Sequence, residues 1–351
     1  MNKTIIMTVL VILLAGCEQA RTDTLNVAVT LPLTGPAASL GQDFLRGMEI
    51  AQKQVNNSHV QLFVEDTKTN PEDAITALTS LLNTQRIDAV VTLQALTAVP
   101  FLPIIEDHNV PLIASLTSIK SEEFTAKSPL TFLVYPLPTD QISKIVQFAN
   151  QNGHKKVAVF TINDEFGTTM TELFVQTFPD TIVAKERFDI QDTDFRTSLM
   201  KIKESKPDLI FFLGFPPHAI TFAKQRKELG MTGIPVVSTE DIQSNFVRAT
   251  AKGLLGNIFA LVPEATVSQR AEDFRDVFFA THNEEPDFLA FFGFDTMLLL
   301  DDVQKKRTPI LEALSTANIN GLNGNIRFNQ NGEIDIPLVF VNAEDRTIVS
   351  R

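Results

Sequence analysis

From Leu25 onward, short apolar or β-branched runs alternate with segments of helical period, and this alternation constrains the fold more than any other feature of the chain. The run "LNVAVTL" predicts a strand, and "DFLRGMEIAQKQVN" predicts a helix with Phe44, Met48, Ala51 and Val55 on one face. "VQLFVED" predicts the next strand. Asn70 then has the side chain of a helix cap, with Pro71 at the first helical position and Asp73 three residues after the cap; Ala74, Leu78, Leu81 and Leu82 would point inward. "IDAVVTL", a short helix and "VPLIASL" continue the series. Repeated strand-helix-strand units build a parallel sheet wrapped by helices.

At "FLVYPLPTD" the series is interrupted by Pro136 and Pro138, after which it begins again. "KVAVFTI", "DLIFFLG" and "PVVSTE" predict strands, with helices near 168–177, 195–205 and 217–229 between and after them. The strands of both units are apolar on both faces, as buried parallel strands should be. After "GNIFALVP" come two helical segments, 268–282 and 287–303, and then a tail whose Gly, Asn and alternating residues predict short antiparallel strands around Asn331-Gly332. Two similar α/β units in tandem imply two lobes. Ligands of open α/β sheets collect at the carboxyl ends of strands, so two such edges facing each other make a cleft that hinge motion can close.

The first 24 residues are different in kind. Lys3 precedes an unbroken apolar run, Ile5 to Leu14, followed by Ala15 and Gly16. The run is too short to span a bilayer, which takes about 20 residues, and reads as the core of a signal peptide covering 1–16. The only cysteine of the 351 residues is Cys17. Leu14-Ala15-Gly16-Cys17 resembles the lipobox of bacterial lipoproteins, which implies an acylated Cys17 anchored in a lipid membrane; two or more acyl chains hold stably. Export and lipid anchoring, facing the periplasm or the cell exterior, are therefore expected.

Without 1–16 the chain carries 29 basic and 42 acidic residues, a balance that phosphate backbones would repel, so nucleic acid is excluded as a partner. One cysteine permits neither a disulfide framework nor a thiolate metal site. His59, His108, His154, His218 and His282 are scattered without metal-ligand spacing and read as solvated loop or helix-end residues. No GxGxxG, GxxxxGK[ST], GxSxG or HExxH occurs, and the pairs Glu122-Glu123, Glu284-Glu285 and Asp301-Asp302 read as solvated faces. Neither an enzyme nor a cofactor is expected.

Six further segments, in order, resemble one family, the type I solute-binding proteins of ABC importers in the branch of the leucine/isoleucine/valine-binding proteins. "LPLTGPAASLGQDFLRGMEIAQKQVN" resembles the family's opening; "VPLIASLTS" is similar to its fourth strand and ligand loop; "PLPTDQISKIVQFANQNGHKKVAVF" resembles the crossover into the second lobe. "DEFGTTM" is similar to a D-x-Y-G turn, "FFGFDTMLLL" to a late helix, and "INGLNGNIRFNQNGEI" to the closing motif. The resemblance implies an α/β fold of two Rossmann-like lobes with parallel sheets, joined by a hinge that the chain crosses three times. It puts lobe one at 25–136 plus 262–323 and lobe two at 137–261 plus 324–351. It implies a monomer that captures an amino acid or similar small, partly apolar solute and docks on a membrane permease.

The resemblance also implies a site. In lobe one it comprises the loops after the first, third and fourth strands, at Ala37, Ala38 and Ser39, at Gln94, Ala95, Leu96 and Thr97, and at Leu116, Thr117 and Ser118. Backbone N–H groups and small hydroxyls near helix N-termini suit a carboxylate; the same hydroxyls also suit ordinary N-caps. Many members of the family have a serine pair where this chain has Ala95 and Leu96. In lobe two the implied positions are Phe166, Phe215, and Glu240 or Asp241 for an ammonium, the acids being alternatively caps for a helix starting near Gln243. A buried, unpaired Glu240 would favour an open empty state. An anchored regulatory or interaction module of the same fold, such as a cell-wall synthase activator, is the alternative reading.

Overall fold

In the computed structural model, which describes residues 24–35, 37–116 and 119–350, the alternation folds into two α/β lobes. Cys17, the signal segment, Thr117 and Ser118 lie outside the described residues. The first sheet comes from β1 (Leu25–Leu31), α1 (Ala38–Val55), β2 (Val60–Asp66), α2 (Pro71–Thr84), β3 (Ala89–Leu93), α3 (Ala95–His108), β4 (Leu112–Ser115) and β5 (Thr131–Leu133). Its order is β2-β1-β3-β4-β5, parallel throughout. Asn70 does cap α2, accepting from the N–H groups of Glu72 and Asp73 at 2.8 and 3.1 Å, with Pro71 leading the helix.

The chain enters the second sheet after β5. There follow α4 (Pro138–Gln151), β6 (Lys156–Ile162), α5 (Glu165–Thr177), β7 (Thr181–Phe188), α6 (Arg196–Glu204), β8 (Leu209–Leu213), α7 (Pro216–Glu228), β9 (Val236–Ser238), α8 (Asn245–Thr250) and β10 (Ile258–Pro263). Then α9 (Gln269–His282) and α10 (Phe288–Lys306) return to the first lobe, where α10 packs along α1. α11 (Ile310–Ser315) and a small hairpin, β11 (Ile319–Asn320) with β12 (Asn325–Ile326), lead back to β13 (Leu338–Asn342) and β14 (Ile348–Ser350). The second sheet has the order β14-β13-β10-β9-β8-β6-β7; β6 to β10 are parallel, and β13 and β14 run antiparallel beside them.

One apolar cluster fills the first lobe, passes through the hinge and covers one face of the second sheet; another covers the opposite face. Central strands such as β3 and β8 are buried along their whole length, because helices lie on both faces. The edge strands β2 and β7 are not, which corrects the expectation that every strand is apolar on both sides. β7 has no sequence prediction at all: "TIVAKERF" mixes charge with β-branched residues, as an edge requires. α3 is longer than predicted and contains Pro100 and Pro103. The carbonyls these prolines leave without a helical donor are those of Leu96 and Val99, both exposed positions. Two side chains read as solvated are buried instead. His218 lies inside the second lobe, and Asp301 of α10 accepts from Asn57 and Lys305, both at 2.7 Å.

Candidate functional site: the cleft between the lobes

On the first lobe the candidate residues lie on chain leaving the carboxyl ends of β1, β3 and β4. α1 starts at Ala38, half-buried, and Ser39, exposed, with no side-chain cap from Ala37. A Cβ on Gly41 would lie 2.3 Å from the Pro32 carbonyl oxygen, so glycine is what lets the opening loop fold onto α1. α3 likewise starts without a side-chain cap. The residue before it, Gln94, has φ 68°, and Leu116 at the end of β4 has φ 48°. Two non-glycine residues in left-handed backbone at adjacent strand ends are the kind of strain that functional loops store. Ala95 is half-buried and Leu96 44% exposed. Thr97 behaves differently from its neighbours: it is 2% exposed, its hydroxyl donates to the Leu93 carbonyl and it lies 2.9 Å from the Thr92 hydroxyl. That hydroxyl is engaged inside the lobe.

On the second lobe, Phe166 occupies the first turn of α5, half-buried and packed against both apolar clusters. Asp164 caps the helix, accepting from the Gly167 N–H at 2.8 Å, and a Cβ on Gly167 would lie 1.9 Å from the Ile162 carbonyl oxygen. Phe215, also half-buried, precedes α7; its N–H donates to His218 Nδ1 at 3.2 Å, and His218 Nε2 donates to the Ile190 carbonyl at 3.0 Å. His218 thereby positions the loop that carries Phe215. Glu240 and Asp241 lie in a single 3-10 turn, 240–243, after β9. Neither caps a helix, because Ser244 caps α8 by accepting from the Val247 N–H at 3.3 Å. Glu240 is 7% exposed and accepts a hydrogen bond from the Tyr135 hydroxyl, so it is buried but not unpaired.

This wall of the cleft is acidic. Burial raises the pKa of Glu240, an effect that the Tyr135 hydrogen bond offsets only in part. Burial pushes Asp241 well up, and the carboxylates of Glu240, Asp287 and Asp164 push it further. Asp287, the cap of α10, is raised to about 6 by burial against the opposing pull of the Phe288 N–H, with Asp43 adding to the rise. Burial and Glu240 together lift the Tyr135 hydroxyl well above its usual range. Among the described residues no group of three or more His, Cys, Asp or Glu side chains has metal-ligand geometry. Sequence reasoning did not assign Tyr135 or Asp287 to the site. The one available signal was that the sole tyrosine precedes Pro136 at the interruption between the two units.

A family profile described as "Periplasmic binding protein" matches residues 24–347. A leucine-, isoleucine-, valine-, threonine- and alanine-binding protein of Pseudomonas aeruginosa is 23% identical over 254 residues, covering 69% of this chain and 67% of that protein. Among solved structures, the isoleucine complex of the branched-chain amino acid transporter substrate-binding protein LivJ from Streptococcus pneumoniae superposes with a TM-score of 0.83 at 21% identity, over 93% of this chain and all of that one. An ABC transporter solute-binding protein from Rhodopseudomonas palustris with 3,4-dihydroxybenzoic acid gives 0.82 at 21% identity, over 92% of this chain and 93% of that one. No helix among the described residues is long and apolar enough to cross a membrane. The chain belongs to the periplasmic binding protein family, whose members bind solutes rather than transform them.

Proposed function

We propose that the protein is a lipid-anchored, extracytoplasmic receptor of an ABC importer, holding a small, partly apolar solute between its lobes and presenting the closed form to a membrane permease. The observation that carries this reading is the Tyr135–Glu240 hydrogen bond. It joins the chain leaving the first sheet to an acid at the carboxyl end of a strand in the second, so strand ends of both lobes converge on one place. Lobe one is taken as 25–136 plus 262–323 and lobe two as 137–261 plus 324–351. Backbone N–H groups at Ser39, Ala95, Leu96 and Leu116 would take a carboxylate, beside Ala38, whose own N–H donates to the Gly35 carbonyl at 3.2 Å. Phe166 and Phe215 would cover the apolar body, and Glu240 or Asp241 would take an ammonium. Thr97 would fix the start of α3 rather than touch the ligand. Relatives in complex with isoleucine, 3,4-dihydroxybenzoic acid and benzoate define the classes to try first.

Tyr135 makes the test direct, because the chain has one Tyr and no Trp. Its emission, quenched by the Glu240 carboxylate, should change when a solute engages Glu240. A panel of branched and aromatic amino acids, benzoates and amides should contain one class that changes tyrosine emission and raises the melting temperature. At about 100 times its Kd a ligand adds roughly 2.7 kcal/mol. A panel without any response from a cooperatively folded protein would defeat the receptor reading and favour an anchored interaction module.

A further inference from the structure

Next to the acidic wall lies a small, partly open cavity of about 50 Å³. It sits between the end of β10, the start of α10 and the turn from β13 to β14. Of the residues implicated by the family resemblance only Glu240 touches it, and no loop after β1, β3 or β4 contributes. The space adjoins the main cleft but is not the same site. Its walls are largely apolar, with Val262, Val267, Phe288 and Phe291 among them.

Two guanidinium groups line this apolar space, one from each lobe: Arg275 of α9 and Arg346 of the β13–β14 turn. Arg275 is 8% exposed and held rigidly. It donates to Glu272 and, at 2.9 Å, to the Thr266 carbonyl, and it stacks 4.9 Å over the Phe291 ring, yet its Nε is buried without a partner. Arg346 is half-buried and makes no ion pair within 4.0 Å with any described carboxylate. Burial draws its pKa down to about 10, the like charges of Arg275 and Arg248 act in the same direction, and the carboxylates of Glu272 and Glu285 oppose them. A guanidinium in such surroundings ordinarily has a planar anion as its counter-ion.

We propose that this cavity binds a small monocarboxylate, its headgroup held between Arg275 and Arg346 and its apolar body against Phe288, Phe291, Val262 and Val267. Glu240 and Asp287 line the same space, which disfavours a multiply charged anion such as phosphate and leaves a monoanion. Because the two arginines belong to different lobes, the carboxylate would tie the lobes together. Occupancy would favour the closed form and tighten whatever the main cleft holds, and the solute would reciprocally tighten the carboxylate.

The test is calorimetric titration of the full chain in detergent with sodium acetate and sodium propionate, carboxylates short enough for a cavity of this size. Arg346→Gln should weaken binding about tenfold or more, the loss expected for one charge-assisted pair. Arg196→Gln removes an exposed guanidinium that lines neither this cavity nor the candidate cleft and should leave binding within about twofold. If Arg346→Gln does not fold, Arg346→Lys replaces it, with a smaller loss in the same direction because the charge stays and the fork is lost. The proposal is overturned if the Arg346 variants bind as the parent does, if Arg196→Gln weakens binding as much as Arg346→Gln, or if the parent takes up neither carboxylate at millimolar concentration. The last result would leave solute capture in the main cleft untouched, since the tyrosine-emission panel reads it separately.

Discussion

At the residue scale, buried carboxylates set the pH behaviour. Asp287 and Asp295 both titrate at about 6, raised from the usual 3.8 mainly by burial. A carboxyl group whose folded pKa lies above its unfolded value contributes stability that is fully present below about 4 and is lost as pH rises through 6. Glu333 works the other way. Burial pushes it up, but hydrogen bonds from Ser121, Thr125 and Asn329 together outweigh that and leave its pKa lowered, so its contribution is lost as the solution becomes strongly acidic. The protein should therefore melt at a higher temperature at pH 5.5 than at 7.5, and Asp287→Asn should flatten the slope between those values. A melting temperature that rises from 5.5 to 7.5 would contradict the assignment. Tyr135→Phe removes the donor to buried Glu240 and should cost about 1–3 kcal/mol in urea unfolding.

At the element scale, the tightest joint is the crossing of α1 and α10. A Cβ on Gly47 would lie 1.9 Å from the Ala290 carbonyl oxygen, and one on Gly293 would lie 1.9 Å from that of Phe44. Each glycine admits the other helix's backbone, so neither alanine variant can be absorbed by side-chain movement. Gly293→Ala should destabilise by roughly 3 kcal/mol or more, seen as a fall of several degrees in melting temperature, whereas an exposed alanine substitution nearby should change little. An unchanged melting temperature would mean that the helices sit farther apart than this. Nothing in "FFGFDTMLLL" as a string announced the requirement, because periodicity identifies a buried face but not the separation of the helix packed on it.

At the scale of the whole molecule, the proposed anchor and the proposed capture are separable. On the lipid-anchor reading, Cys17→Ser should release the protein from membranes into the soluble fraction, with its ligand response intact. Retention of the variant on membranes would remove the lipid-anchor reading. Capture depends instead on two lobes that the chain assembles from non-contiguous segments. β10 ends in the second sheet, α9 and α10 return to the first lobe, and β13 and β14 close the second sheet antiparallel to β10. The repeating strand-helix pattern indicated two units but not which sheet the last strands join; the family resemblance implied the second lobe, and in the structure β13 pairs with β10. Strand pairing joins residues about 80 positions apart, such as Phe259 and Asn342, and leaves no local trace.

By itself the sequence determined the local and the averaged properties: the order of strands and helices in the central layers, the Asn70 cap, the α/β class, the acidic surface and the absence of enzyme motifs. These follow from side-chain periodicity, capping chemistry and composition, all readable over a few residues. Edge strand β7 escaped because an edge buries little and so carries little pattern. Tertiary structure alone decided that the Thr97 hydroxyl turns inward, that Tyr135 meets Glu240, that five acidic groups gather around the cleft and that Arg275 and Arg346 share one cavity. Apart from Thr97, whose partners are Leu93 and Thr92, each of these depends on residues far apart in the chain being brought into contact. Burial then changes their chemistry, because a carboxylate or guanidinium removed from water responds to every charge around it.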